Sequence, residues 1–71
     1  MSAPEHIIET IMQIANESQR NGEVLTKKLR ELDPAISQYI KDNTTSVLYE
    51  LNAKKYYWVS TYIAEYVRTL K

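Results

Sequence analysis

A chain of 71 residues, 44% hydrophobic and 25% charged, has room for a single domain over 1–71, and a domain this small buries only about 60% of the surface its unfolded chain exposes. Cysteine is absent and histidine occurs once, which excludes disulfides and leaves a structural zinc site without its usual ligands; no cofactor or metal is expected. Nine basic side chains balance nine acidic ones, so no global field draws the chain to nucleic acid or to an anionic membrane.

No apolar run nears the roughly 20 residues that span a bilayer. The N-terminus also lacks the basic-then-apolar pattern of a secretory signal, which points to a cytoplasmic protein.

The breakers Pro4, Gly22 and Pro34 divide the chain into helix-sized pieces, and the spacing predicts an all-α bundle of three to four helices at about 4–20, 23–32, 34–42 and 45–70. The first opens on Ser2-Ala3-Pro4-Glu5, which has the form of a capping box. Ile7, Ile8, Ile11, Ile14 and Ala15 form its apolar face, with Glu5, Glu9, Gln13, Asn16, Glu17 and Arg20 opposite. Asn21-Gly22 then offers residues that tolerate the left-handed conformation common at a helix C-terminus.

The second helix carries Leu25, Leu29 and Leu32 on one stripe and ends at Asp33-Pro34. Proline disfavours helix in the residue before it but suits the first turn of a new one, with Asp33 as cap. The third helix carries Ile36, Tyr39 and Ile40 and weakens at Asp42-Asn43-Thr44-Thr45-Ser46, five residues that prefer caps and turns. On one straight helix the Ile36/Ile40 stripe and the stripe centred on Val59 would point more than about 100° apart. A break near Asn43 is therefore favoured over one continuous helix from Pro34 onward.

The last helix, 45–70, has an inner face of Leu48, Asn52, Val59, Ile63, Tyr66 and Leu70, flanked by Leu51, Trp58 and Tyr62 on one side and by Tyr49, Tyr56 and Val67 on the other. That arc covers roughly 180°, wider than the 100° or so that one packing face needs, which implies cover from a partner. The run Tyr56 to Ile63 is rich in residues that favour strands. A lone strand would have nothing to pair with, and the helical spacing continues to Leu70.

Nothing in the chain resembles a catalytic constellation. The carboxylates Glu5, Glu9 and Glu17 fall on a polar helix face, His6 stands beside them, no serine sits in a nucleophile elbow, and one glycine cannot write a phosphate-cradling loop. Six tyrosines and one tryptophan with no phenylalanine suggest instead rings whose polar tips reach water or a partner.

The expectation is a non-enzymatic helical interaction module, a homodimer or a small regulatory subunit of a larger assembly. Its protein interface would use Tyr49, Asn52, Tyr56, Tyr57, Trp58, Tyr62 and Tyr66, with Asn52 as a polar residue in a helical seam. The alternative is a small helix-turn-helix DNA-binding regulator, with Lys27, Lys28, Arg30, Lys41, Lys54 and Lys55 as its basic patch.

Overall fold

The computed structural model describes residues 4–70 and contains five helices and no strand among them: α1 (Glu5–Glu17), α2 (Gly22–Arg30), α3 (Pro34–Asp42), α4 (Thr44–Ala53) and α5 (Tyr57–Thr69). The all-α expectation holds, with one helix more than the three to four read from the sequence. The additional helix comes from dividing the segment 45–70.

Each connection has a local cause. α1 ends at Glu17, short of the expected residue 20, because Gln19 and Arg20 take positive φ values of 52° and 64°. The left-handed turn thus falls on these two residues and not on Asn21-Gly22. Asn21 instead caps α2, its side-chain oxygen accepting from the amides of Glu23 and Val24. Gly22 lies inside α2 and answers a packing need: a Cβ there would collide with the phenol of Tyr62.

Asp33 caps α3 as the sequence implies, accepting from the Ala35 amide at 2.8 Å with Pro34 in the first turn. The break at Asn43 is also present, and it is a single residue wide. Asn43 donates from its backbone and side-chain nitrogens to the Tyr39 carbonyl, and the Thr44 hydroxyl donates to the carbonyls of Ile40 and Lys41. The capping box at Ser2 has its serine outside the described residues. Pro4 precedes α1 without a side-chain cap.

The chain turns again at 54–56, where one helix was expected to continue. Lys55 adopts φ 67°, its amide donates to the Asn52 carbonyl, and the Tyr56 amide donates to the Leu51 carbonyl at 2.8 Å. This pair of bonds is a Schellman motif, with lysine in the position where glycine is usual. Tyr57 then opens α5, so the strand-like run from residue 57 onward is helical.

α4 and α5 form the spine of the bundle and pack against each other most extensively; α2 packs on α5, α3 lies against α4, and α1 bridges α2 and α4. The core takes Ile7, Ile8, Ile11 and Ala15 from α1, Leu25 and Leu29 from α2, and Ile40 from α3. α4 adds Val47 and Leu51, and α5 adds Val59, Ile63 and Tyr66. Burial of a side chain of the Val, Leu or Ile type stabilises the fold by about 1.5–3 kcal/mol relative to exposure, so these positions carry most of the driving force.

The 180° arc inferred for a single last helix is thereby divided. Leu51 and Val59 meet the same core from two helices, while Asn52, placed in the inner face by the continuous-helix projection, is exposed. The radius of gyration, 10.7 Å, matches the roughly 11 Å of a compact single domain of this length. Among the described residues, twelve apolar ones from all five helices close into one core within the single chain, while Val24, Tyr49 and Tyr57 stay exposed.

Candidate functional site

The seven residues expected at a protein interface do not form one face. Tyr66 is 5% exposed and its hydroxyl shares a 2.6 Å hydrogen bond with the Ser37 hydroxyl, tying α5 to α3; it cannot reach a partner. Asn52 accepts from the Ser60 hydroxyl at 2.6 Å, clasping α4 to α5. Tyr49 and Tyr57 are the most exposed rings, at 71% and 63%.

Tyr56, Trp58 and Tyr62 do converge, at the start of α5. Trp58 and Tyr62 are each half-buried and meet edge to face, with ring centroids 6.1 Å apart and planes at 76°. That geometry favours aromatic pairs because the positive edge of one ring meets the negative face of the other. The Tyr56 hydroxyl donates to the side-chain oxygen of Asn16 at 3.2 Å, linking the start of α5 to the end of α1.

This pair stands between two depressions. On the Tyr62 side an open basin of about 530 Å³ is lined by Asn21, Glu23, Thr26, Lys27 and Arg30, with Gly22 beneath the phenol. On the Trp58 side lies a smaller notch of about 300 Å³, lined by Asn16, Gln19, Arg20, Lys55 and Tyr56 over Ala15. Every non-glycine residue with positive φ among the described residues, Gln19, Arg20 and Lys55, lines this notch. No family of proteins, curated protein or solved structure matches the chain.

The six basic residues of the DNA-binding alternative are dispersed. Lys27 and Arg30 flank the basin and Lys55 the notch, Lys28 is held 3.6 Å from Glu17, and Lys41 lies by the α3–α4 junction beside Asp42. Lys54 is exposed in the α4–α5 turn. Arg20, which sequence reasoning placed on the polar face of α1, belongs with Lys55. Only the backbone reversal at Gln19 brings it there, and no residue type at that point announces a reversal.

Among the described residues no three His, Cys, Asp or Glu side chains stand together as a metal-binding group, and no helix is long and apolar enough to cross a membrane.

Proposed function

We propose that the chain is a non-enzymatic helical docking module that binds a protein, either a second copy of itself or a subunit of a larger assembly, through the surface built on the start of α5. One observation carries this reading: Trp58 and Tyr62 are only partly buried and meet edge to face between two depressions bordered by Arg20, Lys55, Lys27 and Arg30. Trp, Tyr and Arg are the residues that dominate binding energy at protein interfaces, because they bury large area around a polar tip. Cations at the rim would select an acidic partner and speed its approach more than they would deepen affinity.

The DNA-binding reading has α2, the three residues 31–33 and α3 in its favour, an arrangement of helix, turn and helix. Polar side chains on the second helix of that arrangement and just beyond it are engaged within the chain, however. Ser37 is bonded to Tyr66, the Gln38 amide donates to Asp42 at 2.9 Å, and the Thr44 hydroxyl is bonded to carbonyls of α3.

Sedimentation of fluorescently labelled protein, alone at micromolar concentration and in an extract of its own cells, tests the proposal. The unaltered chain should travel as a species heavier than 8.3 kDa in at least one setting. Trp58→Ala should return it to the monomer rate, and the surface variant Lys27→Glu/Arg30→Glu, which sets like charges against an acidic partner, should lower the fraction in the complex. A chain that stays monomeric in both settings, or a complex indifferent to both variants, defeats the proposal; loss of the complex to nuclease would move it to the DNA-binding reading.

A further inference from the structure

We propose that the notch between the ends of α1 and α4 is a carboxylate receptor, taking an acidic side chain or a chain terminus of the docked partner. Its lining carries two cations and no carboxylate. Arg20 and Lys55 both border it, and neither has an ion-pair partner among the described residues. The Asn16 oxygen is occupied by the Tyr56 hydroxyl, which leaves the amide nitrogen as a donor, and Gln19 adds a second amide. No Asp or Glu lines the notch. A cluster with two unpaired cations, two amides and no internal counter-ion is completed by an oxyanion with two oxygens, which the planar guanidinium of Arg20 can grip bidentately.

The backbone supports the same assignment. Gln19, Arg20 and Lys55 hold left-handed conformations that disfavour residues with a Cβ, and glycine is the low-cost occupant of such positions. Glycine at Arg20 or Lys55 would keep the turn and remove the charge. A cation just beyond a helix C-terminus also complements the helix dipole, which explains one positive charge at each helix end. It does not explain why both charges and both amides border the same notch as the tryptophan.

Trp58 is the sole tryptophan and lines the notch, so its fluorescence reports occupancy directly. The proposal rests on the docking reading only for the source of the carboxylate, and the probe is accordingly a synthetic hexaglutamate peptide that needs no partner. Titration should give a saturable change in Trp58 emission, weakened at least about tenfold by Arg20→Gln or by Lys55→Gln, since each removes charge-assisted hydrogen bonding to the carboxylate. Lys41→Gln/Arg68→Gln, which removes two cations from outside the notch, should leave the titration curve in place.

A response that fails to saturate, or that falls equally in the Lys41→Gln/Arg68→Gln variant, overturns the receptor in favour of diffuse charge attraction. Inorganic phosphate that saturates the signal as tightly as hexaglutamate overturns the carboxylate assignment. If sedimentation shows a Trp58-dependent complex while hexaglutamate has no effect, the receptor falls and the docking surface stands; the converse result removes the docking surface alone.

Discussion

The four connections of this bundle divide into two kinds. Between α2 and α3, and between α3 and α4, the chain reverses through residues that favour helix ends. Asp33 caps with its carboxylate, Pro34 enters the first turn, and Asn43 and Thr44 bond back to the carbonyls of α3. Between α1 and α2, and between α4 and α5, it passes through left-handed Gln19, Arg20 and Lys55, each costing roughly 1–2 kcal/mol relative to a relaxed backbone. The chain's single glycine sits two residues beyond Arg20, where φ is negative. The costly connections share an edge of one notch and the inexpensive ones do not. In a domain whose total stability is of the order of 5 kcal/mol, this clustering of left-handed residues is the backbone feature that the proposed carboxylate receptor would account for.

This contrast can be broken or sharpened by substitution, beginning with the glycine. Gly22→Ala places a methyl group against the Tyr62 phenol and should cost about 1–3 kcal/mol through overpacking, read as a lower midpoint in urea. Gln19→Gly, three residues earlier, should move stability the other way. Equal and small effects at both positions would erase the distinction between a glycine kept for packing and a left-handed residue kept for its side chain.

Asp33→Ala removes the cap of α3 and should cost about 1 kcal/mol. The loss should appear as faster amide exchange confined to the first turn of α3. Tyr66→Phe removes the link to Ser37 and should cost about 0.5–1.5 kcal/mol. The hexaglutamate titration should be unchanged by it, because Tyr66 is buried away from the notch.

The first three helices were legible in the sequence because their ends carry residues with a mechanism. Asp33-Pro34 and Asn43-Thr44 each state how a helix begins or stops, Asn21 caps α2 where the sequence reading places the end of the first helix, and the apolar stripes of α1 and α2 supply Ile8, Ile11, Leu25 and Leu29 to the core as spaced. The turn at 54–56 was not legible, since Ala53-Lys54-Lys55 has the composition of a helix interior and its Schellman motif uses lysine. A signal was present in another form: an apolar arc of roughly 180° is what two helices flanking one core look like when projected onto a single axis.

The site was half legible for the same reason. Of the rings that composition singles out, Trp58 and Tyr62 meet edge to face, and Tyr56 borders the notch with Trp58. Tyr66 lies with Val59 and Ile63 on the buried face of α5, as its spacing implies, and Asn52 left the inner face because that face was projected on one continuous helix. Arg20 was missed because a reversal at Gln19 leaves no mark in residue type.

The link between strain and binding is tested most directly by measuring stability and hexaglutamate binding together in Lys55→Gly. Glycine relieves the left-handed conformation and should raise stability by about 0.5–1 kcal/mol, while the Trp58 response to hexaglutamate weakens at least tenfold. A variant that is no more stable than the parent, or that binds hexaglutamate as the parent does, would contradict the claim that lysine is kept there for its charge.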